Sequence, residues 1–205
     1  MLYKTILAYI FYFFFISLSI SNDIREFAVG SDIREVSNQR YTNIVCLEDK
    51  KKIKYWKNFK RCKKQNDNLY YINFEYNDKY AFNENYEGTL VAGHPVKLNL
   101  GINIDGKISR IDVNTDPNAP FYFKKQAHLF WMRINSKYGS KDWECVNFEK
   151  KPNHLIINKK YINKTCTKEL DSKKIIYHTE FYFVDERKKQ NLVSRTKMSI
   201  IKFGG

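Results

Sequence analysis

The chain has 205 residues, of which 43% are hydrophobic and 16% aromatic, and this length and composition suit one domain with a sizeable core. Its formal net charge of +14 at pH 7 makes polyanions natural partners, although an AT-rich genome would also raise the number of lysines. No GxGxxG, Walker, HExxH or GxSxG motif occurs. This argues against the enzyme classes that those motifs define, and we expect neither a cofactor nor a metal site.

Residues 1–21 have the pattern of a secretory signal peptide. Lys4 precedes an apolar run, ILAYIFYFFFI, and the segment ends on small residues at Ser19 and Ser21. The run is too short to cross the ~30 Å hydrocarbon core of a membrane, which argues against the alternative of a signal anchor. No second hydrophobic segment follows, so we expect a secreted protein that starts near Asn22 and has no stable membrane insertion.

The next segment, residues 22–40, has little apolar content. It contains a short repeat, NDIRE and SDIRE, whose copies start nine residues apart. We therefore expect a flexible or loosely docked N-terminal arm. From Tyr41 onward YTNIVC alternates polar and apolar residues as a half-buried strand does, and a single domain is expected to occupy residues 41–205.

Residues 48–64, EDKKKIKYWKNFKRCKK, contain the clearest helical pattern of the sequence. At 100° per residue the apolar side chains fall within about half of a helix circumference, and cations occupy the rest; the apolar set is Ile53, Tyr55, Trp56, Phe59 and Cys62. We therefore expect an amphipathic helix whose apolar face, with Trp56 and Phe59, packs on a sheet. Its solvated lysines are candidate phosphate contacts, and the predicted binding set is Lys51, Lys54, Lys57 and Lys60.

Two alternatives exist for this basic segment. On an open surface its aromatic side chains would stack on bases, and the segment would form an RNA-binding strip. A basic amphipathic helix could also lie on an anionic membrane, although a disulfide at Cys62 would restrict deep insertion.

Beyond residue 68 the hydrophobic period changes from that of a helix to that of a strand. Segments rich in aromatic and β-branched residues, among them LYYINFEY, FYFKK, AHLFWMRIN and KIIYHTEFYFV, are separated by turn signals such as Asp105-Gly106 and Tyr138-Gly139. One early helix followed by many strands predicts an α+β fold class, with the N-terminal amphipathic helix packed on a twisted antiparallel β-sheet.

The four cysteines all follow the candidate signal peptide: Cys46, Cys62, Cys145 and Cys166. An even number in an oxidising compartment predicts two disulfides, for which three connectivities are possible. Fifteen and twenty residues separate the neighbouring cysteines, which is too many for a zinc knuckle. Asn163 begins an Asn-Lys-Thr sequon, so we expect a glycoprotein.

Histidines offer little evidence of catalysis. None of the four has the spacing of a metal ligand. His178 and Glu180 would point to the same face of a strand, a geometry that can serve acid–base chemistry, but such pairs are common on solvated sheet faces. We predict no catalytic residue from the sequence.

The segment NENYEG, residues 83–88, follows a cysteine, an amphipathic segment with a second cysteine, and a strand. This order resembles the small secreted guanyl-specific ribonucleases of fungi, and more closely the ribonuclease-like secreted effectors of powdery mildew fungi. The resemblance covers about residues 41–166 and leaves the last 39 residues as a C-terminal strand extension. It implies nested disulfides, Cys46 with Cys166 and Cys62 with Cys145. The outer crosslink would stabilise the fold by ~4 to 5 kcal/mol.

The resemblance also implies a base-binding loop. In these ribonucleases a tyrosine stacks on guanine and a carboxylate accepts the ring N–H groups, and the matching residues here are Asn85, Tyr86 and Glu87. The alternative for the same residues is a polar connection between two strands.

The family's catalytic groups are not matched, because Phe82, Gly93 and Asn114 stand where it has histidine, glutamate and histidine. The resemblance therefore implies a secreted virulence effector that binds host RNA or an acidic host protein surface without cutting RNA. Such an effector can also be delivered into a host cell. One alternative is an active ribonuclease that uses His94 or His128 with a nearby glutamate. Another is a lipocalin-like binder of small ligands. None of these specifies an oligomeric state.

Overall fold

Ten strands form one antiparallel sheet in the computed structural model, which describes residues 22–76, 88–170, 172–186 and 189–203. The strands are β1 (Tyr41–Cys46), β2 (Tyr70–Tyr76), β3 (Leu90–Val91), β4 (His94–Ile102), β5 (Ile108–Thr115), β6 (Glu144–Asn147), β7 (His154–Leu155), β8 (Ile162–Leu170), β9 (Lys173–Glu186) and β10 (Lys189–Lys202). The helices are α1 (Phe121–Gln126) and α2 (Phe130–Tyr138), and the 3₁₀ turns are η1 (Ile33–Glu35), η2 (Trp56–Arg61) and η3 (Ala127–Leu129).

The strand order across the sheet is β1-β2-β4-β5-β10-β9-β8-β6, with β3 paired to β4 and β7 paired to β9. Hairpins connect β4 to β5, β8 to β9 and β9 to β10, so most neighbours in the sheet are also neighbours in sequence. The pairing most distant in sequence is that of β5 with β10, in which Val113 lies opposite Met198 and Ile111 opposite Ile200. This pair joins the N-terminal and C-terminal halves of the sheet.

Alternation of buried and more exposed residues, with a few irregular positions, gives the sheet one apolar face and one mostly polar face. In β2, Ile72 and Phe74 are buried, whereas Tyr71, Asn73 and Glu75 are partly exposed on the other side. The same two-residue period continues through β4, β5 and β10. One face therefore forms the core and the other meets solvent, as is common in antiparallel sheets.

A continuous helical segment, residues 121–138, covers part of the apolar face. It comprises α1, η3 and α2, and in α2 Phe130, Ile134 and Tyr138 are buried at the i, i+4, i+8 spacing of one helix face. The segment ends at Gly139, whose φ of 84° suits a helix C-terminus. Buried hydroxyls fasten η3 to the sheet, because Thr179 and Thr196 both donate to main-chain oxygens of the turn.

The predicted α+β arrangement, with an N-terminal amphipathic helix packed on a sheet, is wrong. Residues 48–64 contain only the 3₁₀ turn η2, and the molecule is mostly a large antiparallel sheet. Trp56, Phe59 and Cys62 recur every third residue, which is the period of a 3₁₀ helix. The long helical segment instead comes from FYFKK and AHLFWMRIN, which the sequence analysis assigned to strands because aromatic residues favour strands.

The nested disulfide pairing is also wrong, because the two disulfides join neighbouring cysteines. Cys46 bonds Cys62, and Cys145 bonds Cys166 across β6 and β8, where the two residues lie directly opposite each other. The sequence separations are 16 and 21 residues. Loop-closure entropy assigns loops of this length about 3 kcal/mol each, less than the longer nested loop would give.

Residues 22–40, for which the sequence predicts a flexible or loosely docked arm, lie against the core. Phe27 and Ile33 are fully buried. The ring centroid of Phe27 lies 5.6 Å from that of Tyr41, 5.8 Å from that of Trp56 and 5.1 Å from that of Phe74. Few apolar residues are thus enough to dock the segment, because they are buried and Phe27 contacts several rings of an aromatic cluster.

Two acidic residues complete the docking of this segment. The buried carboxylate of Asp23 forms a salt bridge with Lys173 at the start of β9. The carboxylate of Glu26 accepts hydrogen bonds from the hydroxyls of Tyr41 and Tyr76. The carboxylates of the first NDIRE copy therefore bind groups on three strands, β1, β2 and β9.

A substitution at Phe27 tests this docking. We expect Phe27→Ala to lower the free energy of unfolding by about 3–5 kcal/mol, because it removes a buried ring from the aromatic cluster. Urea denaturation followed by tryptophan fluorescence measures the change. The matched control is Phe121→Ala in α1, whose side chain is 67% exposed and whose loss should change stability by less than about 0.5 kcal/mol. Equal effects of the two variants would show that residues 22–40 do not pack as described.

Candidate functional site

The basic loop, residues 46–64, begins at the last residue of β1 and ends at Lys64, which pairs with Tyr70 at the start of β2. The Cys46–Cys62 disulfide closes most of it into a ring. Its first part runs back along β1, since Ile53 donates its N–H to the oxygen of Ile44 and Cys46 donates to the oxygen of Lys51. Its second part is η2. The loop backbone is therefore held at both ends and along its first half.

Two aromatic side chains anchor the basic loop in the core, as the sequence predicted. Trp56 is fully buried, and its ring packs edge-on against Tyr41 and Phe74 at centroid distances of 5.0 and 5.2 Å. Phe59 is buried against Tyr70. The main-chain N–H of Trp56 is also bound, by the side-chain oxygen of Asn38 at 2.9 Å. These side chains serve packing and are not available to a ligand.

All the cations of the basic loop are exposed. They include the four residues of the predicted binding set, and the full list is Lys50, Lys51, Lys52, Lys54, Lys57, Lys60, Arg61, Lys63 and Lys64. Within the part of the chain that the structure describes, only Lys63 forms a salt bridge, with Glu48 at 2.8 Å. The loop thus presents a dense positive surface whose charges are mostly uncompensated.

Tyr55 is the one aromatic side chain of the basic loop that reaches the surface, with 37% of it exposed. The Nζ atoms of Lys54 and Lys57 lie 5.2 and 5.6 Å from its ring centroid. An exposed ring beside ammonium groups can stack on a base while the lysines contact phosphates. The helical pattern placed Tyr55 on the apolar face. The buried residues Trp56, Phe59 and Cys62 instead follow a three-residue period, which excludes Tyr55.

The base-binding loop of the resemblance, Asn85, Tyr86 and Glu87, lies outside the described residues, so its role stays a prediction. His94 and His128, the candidate catalytic histidines of an active ribonuclease, lie within the described residues. His94 is half-buried with its ring 5.4 Å from that of Phe130, and His128 stacks on Phe181 at 3.9 Å. Among described residues, neither histidine forms a hydrogen bond or salt bridge with a glutamate.

His178 and Glu180 do share a face of β9, as predicted, and belong to a buried polar cluster. The Glu180 carboxylate receives the Nε–H of Arg195 and the hydroxyl of Tyr182, and it lies 3.4 Å from Nε2 of His178. Burial alone would raise the pKa of Glu180, but the hydrogen bonds from Arg195 and Tyr182 outweigh it, and the pKa lies below its usual value. Glu180 therefore stays ionised and positions Arg195.

A cleft of about 530 Å³ lies beside this cluster. It forms because β10 runs past the last residue of β5, while the chain turns at Asp116-Pro117 toward α1. Its lining residues are Asn114, Thr115, Asp116, Pro117, Lys124, Leu192, Val193, Ser194, Arg195 and Lys197. Seven of these ten residues are polar or charged, so this cleft is not the apolar cavity of a lipocalin-like binder.

Comparison with known proteins adds no relative. No family model matches the chain, and no curated protein or solved structure is significantly similar to it. The resemblance to ribonuclease-like effectors stays a prediction, and the early helix and nested disulfides that it implied are not found. The residues without a counterpart in that resemblance include β9 and β10, which lie near the centre of the sheet.

Other features bear on the sequence predictions. Asn163, the predicted glycosylation site, is half-buried in β8, and its amide nitrogen lies 3.5 Å from the hydroxyl of Tyr161. In the described ranges no three or more metal-binding side chains come together. No helix in the same ranges is both long enough and apolar enough to cross a membrane.

The burial of His128 predicts a pH dependence of stability. Burial lowers its pKa to about 4, whereas the unfolded state takes up a proton below about pH 6.5. The stability that neutral His128 supports is therefore complete above pH 6.5 and is lost as the pH falls toward 4, by about 3 kcal/mol. His128→Asn keeps a side chain that can hydrogen-bond Ser194 but cannot be protonated in this pH range, so the variant should lose less stability between pH 7 and pH 4. Urea denaturation at pH 4 and pH 7 measures both proteins, and parallel losses would contradict the prediction.

Proposed function

We propose that the protein is a secreted, non-catalytic binder of polyanions, that its ligand is single-stranded RNA, and that the basic loop is the contact surface. One observation carries the proposal. The aromatic anchors of the loop point inward, while every cation and one tyrosine point outward. If the resemblance to secreted effectors holds, the RNA is that of a host.

The physical argument concerns charge and order. Lysines that neutralise phosphates release the counterions of the RNA, and this release drives sequence-independent binding. Holding the loop backbone by a disulfide and two buried rings lowers the entropy lost on binding. Tyr55 adds a stacking surface that any base can use. Together these features suit a ligand that has both phosphates and unpaired bases.

The polar cluster at Glu180 supports a non-catalytic role. A general base needs a free oxygen lone pair beside its substrate and a pKa near the working pH. Each oxygen of Glu180 already accepts one hydrogen bond, from Tyr182 or from Arg195, the residue is buried, and its pKa is lowered, away from a neutral working pH. The pairing of His178 with Glu180 is thus better explained as part of a structural network.

An acidic host protein surface is the second candidate ligand, because exposed lysines alone would serve it. The exposed ring of Tyr55 favours RNA, since stacking on a base needs an open aromatic face. The two candidates differ in how affinity depends on Tyr55 and on salt.

Salt dependence tests the contribution of the lysines. For single strands the slope of log affinity against log salt is about −0.7 per neutralised phosphate. We expect Lys54→Gln/Lys57→Gln/Lys60→Gln to weaken binding and to make this slope shallower by about 2. Fluorescence anisotropy of a labelled single-stranded RNA of about 12 nucleotides, titrated at about 50 to 200 mM NaCl, measures the affinity and its salt slope.

The matched control removes three exposed lysines elsewhere, Lys141→Gln/Lys151→Gln/Lys160→Gln, between α2 and β8. It has the same net charge as the loop variant and should keep the slope of the wild type. A flat salt response of the wild type would overturn RNA as the ligand and favour a protein partner. The RNA should be recovered uncut from each titration, and fragments would contradict the non-catalytic assignment.

Tyr55 is tested separately from the charges. Tyr55→Ala should weaken binding of single-stranded RNA by about 1–3 kcal/mol without changing the salt slope, because it removes stacking and leaves every cation in place. Tyr55→Phe should bind as the wild type does. The control is Tyr122→Ala in α1, which removes a ring outside the loop that is more exposed than Tyr55, 65% against 37%. Unchanged affinity in Tyr55→Ala would favour the acidic protein surface.

A further inference from the structure

The cleft at the end of β5 carries its own concentration of positive charge, apart from the basic loop. Lys124 comes from α1, and Arg195 and Lys197 come from β10. Across the ranges that the structure describes, neither Lys124 nor Lys197 forms a salt bridge. The single carboxylate of the lining, Asp116, lies 3.9 Å from the Nζ atom of Lys97. With three cationic side chains and one carboxylate, the lining of the cleft therefore has a net positive charge.

Arg195 is held in a defined orientation at this cleft. Its Nε–H donates to Glu180, whose carboxylate is 5% exposed and is itself bound by the hydroxyl of Tyr182. The two terminal nitrogens of the guanidinium have no hydrogen-bond acceptor among the described residues. Half of the Arg195 side chain is exposed. A buried carboxylate thus fixes one edge of the guanidinium and leaves the other donors open.

We propose that this cleft binds the phosphate group of a small phosphomonoester. The planar N–H donors of an arginine match the oxygens of a phosphate. The two lysines add positive charge and do not require a particular hydrogen-bond geometry. The volume of about 530 Å³ lies within the range of small-ligand sites and exceeds what free phosphate needs. Pro117, Leu192 and Val193 are the apolar residues of the lining and can contact the organic part of the ligand.

This site is separate from the proposed RNA contact. Its cations lie on α1 and β10, whereas the basic loop connects β1 to β2 at one edge of the sheet. Loss of RNA binding on changing the basic loop would say nothing about the cleft. The two proposals therefore fail independently.

Isothermal titration calorimetry of the full mature chain tests the cleft with three probes at low salt: uridine 5′-monophosphate, inorganic phosphate and uridine. We expect the monophosphate to bind and uridine not to bind. Binding of phosphate as tight as that of the monophosphate would assign the site to the free ion, and weaker binding of phosphate would assign it to the ester. Absence of binding by both phosphate probes, or equal binding of uridine and its monophosphate, would overturn the proposal.

Variants locate the binding. Lys124→Gln/Lys197→Gln leaves the pair of Glu180 and Arg195 intact, so it tests the cleft without disturbing a buried charge, and it should weaken monophosphate binding about tenfold or more. Arg195→Lys keeps the charge but loses the planar donors and should also weaken binding about tenfold. The control is Lys141→Gln/Lys151→Gln, which removes the same number of charges at exposed positions between α2 and β8 and should leave affinity unchanged. An equal loss in this control would show that binding follows net charge, and it would overturn the site.

Discussion

The antiparallel pairing of β5 with β10 is the contact on which the rest of the structure depends. More than 80 residues separate the paired segments, as the register of Arg110 with Ile201 shows. Because closing so long a loop is entropically costly, this pairing must be supported by the apolar face that it completes, including Val113, Met198 and Ile200. The helical segment 121–138 and the strands β6 to β9 lie within this closed loop of chain. Where β10 extends past β5, the pairing also creates the cleft that Arg195 lines.

The aromatic cluster performs a similar task for the N-terminal half. Phe27, Tyr41, Trp56 and Phe74 bring together the N-terminal segment, β1, the basic loop and β2. Nine exposed cations in so short a loop repel one another, and this repulsion opposes a fixed loop conformation. Burial of Trp56 and Phe59 and closure by the Cys46–Cys62 disulfide offset it. The density of charge at the surface therefore depends on the packing beneath it.

Sequence patterns predicted the features that depend on local alternation and missed those that depend on distant partners. The strand at LYYINFEY, the inward Trp56 and the common face of His178 and Glu180 follow from local spacing, and the presence of two disulfides follows from the even number of cysteines. The helical segment 121–138 was missed because its aromatic residues favour strands locally, and only burial of Phe130, Ile134 and Tyr138 against the sheet selects a helix. The contacts of the N-terminal segment could not be predicted from its sequence, because its few apolar residues pack against partners on β1 and β2. Tyr55 was misplaced for a related reason, since its exposure depends on η2 being a 3₁₀ turn.

The two cationic surfaces differ in how their charges are held, and this difference suits them to different ligands. The lysines of the basic loop are compact, solvated charges on flexible side chains, so they follow an irregular, flexible strand of phosphates without demanding one geometry. Arg195 is restrained by the buried Glu180, whose ionised state is supported by Tyr182. A restrained guanidinium loses less side-chain freedom on binding and selects ligands by the positions of their oxygens. Net charge alone therefore does not make the surfaces equivalent: the loop suits an extended polyanion, whereas the cleft suits a single phosphate presented in one orientation.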